Sequence, residues 1–136
     1  MSPIVFVPGL LCDDRIWRDQ SLALADLAPT TIADVTQDDS IAGMVARLLA
    51  EAPPTFTLVG ISMGGYVAFE VLRQAKERVT ALALFDTSAA PDTPARAAER
   101  RATLKSIAVG QFAGVTDRLL PRLIDARHVG GRSARN

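Results

Sequence analysis

The stretch Phe56-Thr57-Leu58-Val59-Gly60-Ile61-Ser62-Met63-Gly64-Gly65-Tyr66 decides the fold. An apolar, β-branched run meets a Gly-x-Ser-x-Gly turn, and a helix-compatible segment follows at once. A serine at such a strand-to-helix turn is held in a strained backbone conformation with its hydroxyl in the open. Gly60 and Gly64 suit the turn because a side chain at either position would crowd it. Gly65 lets the start of the helix lie close to neighbouring strands. The helix directs its free N–H groups and its positive dipole end at the serine. Two readings follow: a nucleophile elbow with Ser62 as nucleophile, or an ordinary glycine-rich turn. A strand before and a helix after favour the elbow. The spacing of Gly60, Gly64 and Gly65 does not make a dinucleotide fingerprint, and the turn has no lysine for a phosphate-binding P-loop.

Working outward, Ile4-Val5-Phe6-Val7 reads as a short buried strand closed by Pro8, and residues 8–14 as a loop. Residues 15–27 can form a helix, and residues 30–35 are β-branched and read as a second strand. Asp38-Asp39-Ser40 offers N-cap candidates. Ile41, Met44, Val45, Leu48 and Leu49 then follow the helical i, i+3, i+4 pattern up to Pro53-Pro54. Phe56–Ile61 is the third strand, 63–76 the helix after the turn, and Val79–Phe85 a fourth strand ending at Asp86-Thr87-Ser88. This alternation implies βαβ units, a parallel sheet and an α/β fold. Near-continuous apolar strands fit a sheet covered on both faces, a three-layer sandwich. Ligands of open α/β sheets bind beyond the carboxyl ends of the strands. Gly9, Ser62 and Asp86 all sit at such ends. Residues 93–109 are Ala/Arg-rich and helical, residues 111–124 suggest a further helix broken by Gly114 and Pro121, and residues 126–136 have the composition of a disordered tail.

With 136 residues and 49% hydrophobic content, the chain has material for one modest core. Its zero net charge is unevenly spread. Residues 1–68 carry 3 basic and 8 acidic side chains, residues 69–136 carry 12 basic and 7 acidic. No aromatic residues interleave with the later arginines, so solvated helix faces explain them better than a nucleic-acid surface. The single Cys12 forbids an intrachain disulfide, and with the single His128 it leaves no cysteine or multi-histidine metal site. No metal or other cofactor is expected. No basic-led apolar leader and no ~20-residue apolar span are visible, so the expected setting is soluble and cytoplasmic, without a membrane partner. Cys12 is open between a pocket-lining role and that of a small buried hydrophobe, Trp17 between the floor of a substrate site and the core.

Val5-Phe6-Val7-Pro8-Gly9-Leu10-Leu11, Gly60-Ile61-Ser62-Met63-Gly64-Gly65 and Leu82-Ala83-Leu84-Phe85-Asp86-Thr87 together resemble the N-terminal part of an α/β-hydrolase-fold serine hydrolase. The resemblance covers residues 3–125, with 1–90 as part of the catalytic core and 91–125 as a helical segment of the cap kind. It implies a sheet with the first strand between the second and third and the fourth outside the third. It also implies an oxyanion hole made by the backbone N–H groups of Met63 and of Leu10, with Leu11 as the alternative. The implied substrates are small esters, thioesters or amides, hydrolysed through a Ser62 acyl-enzyme.

An activated serine needs a base, and the base an orienting acid, in the chain order Ser, Asp/Glu, His. The family places both after later strands that this sequence does not contain. Asp86 is then the candidate acid and His128 the candidate base, and neither has the expected supporting strand. The expectation is a truncated hydrolase with an impaired triad. The alternative is a non-catalytic remnant or small-molecule binding module that keeps the pocket and the turn. Truncation would also leave the fourth strand as an exposed apolar edge prone to self-association.

Overall fold

The computed structural model describes residues 1–110 and 120–128. The chain divides into two compact units, Met1–Ala90 and Pro91–Asn136. In the first unit, strands β1 (Ile4–Val7), β2 (Thr30–Ile32), β3 (Phe56–Ile61) and β4 (Val79–Phe85) form one parallel sheet in the order β2-β1-β3-β4. This is the order that the sequence resemblance implies.

Alternation along β1 builds the layers. Side chains of a strand point to opposite faces in turn. Val5 and Val7 join Phe56, Leu58 and the inner faces of helices α2 (Ile41–Glu51) and α3 (Met63–Ala75). Ile4 and Phe6 join Val59, Trp17, Ala28 and, from helix α1 (Arg18–Leu24), Leu24 on the other face. Helices therefore cover both faces of the sheet. Trp17 belongs to this second core: it is 5% exposed, with ring centroids 5.0 Å from Phe6 and 5.9 Å from Phe85.

Local hydrogen bonds set two boundaries differently from the sequence pattern. The Asp13 carboxylate accepts the Arg15 N–H and starts a 3-10 turn over Asp14–Ile16, and Trp17 at φ −110°, ψ 0° separates that turn from α1. The ladder of β2 ends at Ile32, although Ala33 N–H still donates to Phe6 O at 2.8 Å. Asp34 then accepts the Thr36 N–H at 2.8 Å and hydroxyl at 2.6 Å and turns the chain out of the sheet. Thr80 is an extra residue in β4, because Val79 pairs with Phe56 and Ala81 with Thr57. Of the three N-cap candidates, Ser40 caps α2 by accepting the Gly43 N–H at 3.2 Å.

The second unit contains helix α4 (Pro94–Ala108), capped by Thr93, helix α5 (Leu120–Leu123) and a 3-10 turn over Ala126–His128. Asp92 pairs with Arg100 at 2.8 Å. Pro121, a breaker by sequence, lies within α5. Gly114 and the tail at 129–136 lie outside the described residues.

Arg78 ties the sheet to the end of α2. Its guanidinium donates to the carbonyls of Leu49 (2.9 Å), Ala52 (2.9 Å), Pro53 (2.8 Å) and Pro54 (3.1 Å), and stands 5.5 Å from the centroid of Phe56. The last carbonyls of a helix have no intrahelical donor, and a charged, forked donor satisfies several at once. Arg78→Ala is expected to cost about 2–3 kcal/mol in urea unfolding. Arg78→Lys should recover less than half of that, because an ammonium cannot span the four acceptors. A loss under ~0.5 kcal/mol would remove this account of how α2 ends.

β4 is hydrogen-bonded to β3 on one side, and among the described residues no strand pairs with the other. Leu82 is 40% and Phe85 50% exposed, and the strand carries neither proline nor lysine to blunt its edge. Self-association that rises with concentration in light scattering is the expected outcome. Leu82→Lys should reduce it, and a monomer unchanged across the concentration series would show that the edge is protected.

Candidate active site

The sheet order places a switch point between β1 and β3. From β1 the chain goes outward to β2 in one direction, then returns past β1 to continue through β3 and β4 in the other. Helices leaving a sheet on opposite faces at such a point open a crevice at the carboxyl ends of the two strands. The two segments at that crevice are Gly9–Cys12 and the turn around Ser62.

Ser62 has φ 52° and ψ −116° and is solvent-exposed. A side-chain-bearing residue held there carries about 1–3 kcal/mol of strain, maintained only where the surroundings leave no alternative. Those surroundings are specific. The Ser62 N–H donates to Phe85 O at 3.1 Å, and the Ser62 carbonyl accepts from Gly65 N at 2.9 Å and from Thr87 Oγ1 at 2.8 Å. A Cβ on Gly60 would lie 2.5 Å from Gly64 O, and one on Gly64 would run into the carbonyls of Val7 and Pro8. A Cβ on Gly65 would collide with the Thr87 side chain. The three glycines therefore mark three close approaches. Thr87 is the residue that sequence reasoning passed over; its signal is a β-branched side chain just after β4, opposite a glycine with no room for one.

Gly9 brings the other segment in. A side chain there would meet Ser62 Cβ at 3.4 Å and Cys12 Sγ at 3.7 Å. Cys12 N–H donates to Gly9 O at 3.2 Å, closing a tight turn with Leu11 left-handed at φ 59°. Among the described residues, neither the Leu10 N–H nor the Met63 N–H donates to a protein acceptor. Both residues line a cleft of about 580 Å³ that continues between this turn and the start of α2. Cys12 also lines it, half-buried; burial pushes its thiol above the ordinary value, opposed by the backbone of Gly9 and reinforced by Asp13.

Asp86 follows β4 with φ 46°, a left-handed conformation that aspartate tolerates better than most residues. It adjoins the Phe85 carbonyl that anchors Ser62, and its carboxylate makes no hydrogen bond or ion pair with a described residue. Ser62, Met63, Gly9, Leu10 and Asp86 thus gather at one end of the first unit. His128 belongs to the second unit, at the end of its 3-10 turn, and its side chain lies outside the described ones. The Ser62 hydroxyl makes no hydrogen bond with a described residue. Among the described residues, no group of three or more His, Cys, Asp or Glu could hold a metal ion, and no helix is long and apolar enough to cross a membrane.

Comparison with known proteins agrees with this geometry. The family model of the thioesterase domain matches residues 23–129. A thermophilic esterase from Thermogutta terrifontis, solved with malate bound, superposes with a TM-score of 0.81 at 23% identity, over 98% of this chain and 54% of that one. An extracellular α/β-hydrolase from a Paenibacillus species, described as sharing structural and functional homology with tobacco salicylic acid binding protein 2, gives 0.68 at 18% identity, over 95% and 63%. The protein AqDC, described as recognising and cleaving the ring of the Pseudomonas quinolone signal, gives 0.57 at 22% identity, over 98% and 58%. The chain thus spans between about half and just under two thirds of these structures. No curated protein sequence matches it. The match over most of its length, and the elbow fold beneath it, make the chain a member of the thioesterase domain family with an α/β-hydrolase fold.

Proposed function

We propose that Ser62 is the acyl-accepting nucleophile of a hydrolase acting on small esters, thioesters or amides. The observation that carries this is the exposed serine held at φ 52° on the switch point of the sheet. In the reaction, Ser62 Oγ adds to the substrate carbonyl carbon and its proton passes to a base. The carbonyl oxygen becomes an oxyanion, for which the Leu10 and Met63 N–H groups are the donors. Collapse expels the alcohol, thiol or amine with a proton, and water then releases the acid from Ser62. Family membership supports the ester or thioester bond as the one cleaved. The proposed substrate is a small molecule rather than a nucleic acid or a membrane.

Asp86 is the acid this chain offers beside the elbow, and His128 its single imidazole. No described side chain engages the Ser62 hydroxyl. That observation also favours a second reading, a binding module that keeps the cleft and the strained serine without turnover.

Labelling separates the nucleophile from the bystander. A fluorophosphonate probe is expected to modify Ser62 slowly, with the adduct mapped by peptide mass spectrometry and abolished in Ser62→Ala. An adduct on another serine that survives Ser62→Ala would overturn the assignment.

Turnover addresses the base. Against short-chain p-nitrophenyl esters, the chain is expected to stay well below the ordinary ~1–10³ s⁻¹, with a residual acceleration from binding and oxyanion donors. Ordinary turnover lost in both Ser62→Ala and His128→Ala would instead make His128 a working base.

A further inference from the structure

We infer that the cleft beside Ser62 takes a short apolar chain ending in a cationic head group, such as an alkylammonium, and rejects an anionic one of the same length. The inference deepens the reading of Ser62 as nucleophile and rests on it for the role of the bound group as part of the substrate.

The walls supply the apolar part. Leu10, Val35, Ile41, Met44 and Met63 line the cleft, whose volume of about 580 Å³ suits a small molecule. The charged lining is of one sign: Asp13, Asp38 and Asp39 line the same cleft, and no lysine or arginine does among the described residues. A neighbouring cleft of about 320 Å³ shares Asp13, Val35 and Thr36 and adds Asp14 and Asp34.

Pairing reduces this charge without cancelling it. Arg15 holds Asp13 at 2.9 Å and Arg47 holds Asp38 at 2.7 Å. Asp14, Asp34 and Asp39 make no ion pair with a described residue. Of the three carboxylates that line the apolar cleft two are paired, which leaves Asp39 unpaired there, with Asp14 and Asp34 unpaired along the neighbouring cleft. Asp13 lies below the usual carboxylate value because of the Arg15 side chain, and Asp34 because of the Thr36 hydroxyl and N–H. Charges of one sign around a cleft with low-dielectric walls raise the local concentration of the opposite sign and repel their own. An aliphatic body fits the floor, and an ammonium at its end fits the rim. A carboxylate or phosphate there would meet uncompensated like charge.

Three ligands with one apolar body test this without requiring turnover: 4-phenylbutylamine, 4-phenylbutanol and 4-phenylbutyrate, titrated against the full chain. The readout is the methyl resonances of Leu10, Val35, Ile41, Met44 and Met63. At ~0.01 M salt, where the screening length is about 30 Å, the amine should bind about tenfold more tightly than the carboxylate, with the alcohol between them. At ~1 M salt the spread should collapse as screening shortens to about 3 Å. Asp14→Asn combined with Asp39→Asn, two exposed sites outside the proposed chemistry, should narrow it about threefold. The carboxylate binding as tightly as the amine at low salt, or perturbations confined to resonances away from the cleft, would overturn the inference. So would the absence of any shift with all three ligands. The ranking should persist in Ser62→Ala, so a failure of Ser62 to take the covalent probe counts against the catalytic reading and leaves the ranking to be judged separately.

Discussion

The backbone of Ser62 is the constraint on which the active end of the molecule depends. A serine prefers other conformations by about 1–3 kcal/mol, so φ 52° persists only because its neighbours exclude the relaxed ones. They act as a closed set. The Ser62 N–H is committed to β4 through Phe85 O, its carbonyl to Gly65 and Thr87, and the helix start is pressed against β1 at Gly64. Each approach needs a position without a side chain. Methyl groups at Gly60, Gly64 or Gly65 would push apart strand β3, strand β1 or the segment after β4, respectively, from the first turn of α3. Rigidity at the serine is thus a property of three strands and a helix together.

Sheet order turns this local strain into a site. Because β1 sits between β2 and β3, the loops after β1 and β3 open side by side although more than fifty residues separate Gly9 from Ser62. Gly9 lies directly against Ser62: a Cβ there would be in van der Waals contact with Ser62 Cβ at 3.4 Å. The turn it begins holds Leu11 left-handed and leaves the Leu10 N–H without a protein acceptor among the described residues. The strained residues Leu11, Ser62 and Asp86 all fall at the carboxyl ends of strands. Strain concentrated in this way is the pattern of a functional edge, whereas the opposite end of the sheet is occupied with structural work such as the Arg78 clasp on α2.

Legibility in the sequence followed the range of the interaction. The elbow, the four strands and α2 were readable because their signals are local: alternation, the i, i+3, i+4 pattern and glycines at fixed spacing. The strand order came from resemblance, since pairing partners leave no local trace. Arg78 and Thr87 escaped notice for the same reason. One reaches carbonyls 24 to 29 residues back and the other a carbonyl 25 residues back, and nothing local to either marks its partner. Trp17 was open between pocket and core because an aromatic near a loop serves either; its stacking on Phe6 decided for the core. The ends of β2 and α1 were misplaced where short side-chain bonds, Asp34 to Thr36 and Asp13 to Arg15, outcompeted the continuing ladder or helix.

The bond a hydrolase can break and the molecule it accepts are set by different parts of this fold. The nucleophile and backbone donors proposed above suit any acyl carbonyl, because an oxyanion looks alike whether its leaving group is an alcohol, a thiol or an amine. Discrimination must come from groups that meet the rest of the substrate. The surface proposed for this is the turn after β1 and the segment from Val35 to Met44, with its apolar walls and aspartates. Kinship with thioesterases therefore bears on the bond, and the aspartates around the cleft bear on the carrier. A fold shared with an esterase and a ring-cleaving protein can specify neither by architecture alone.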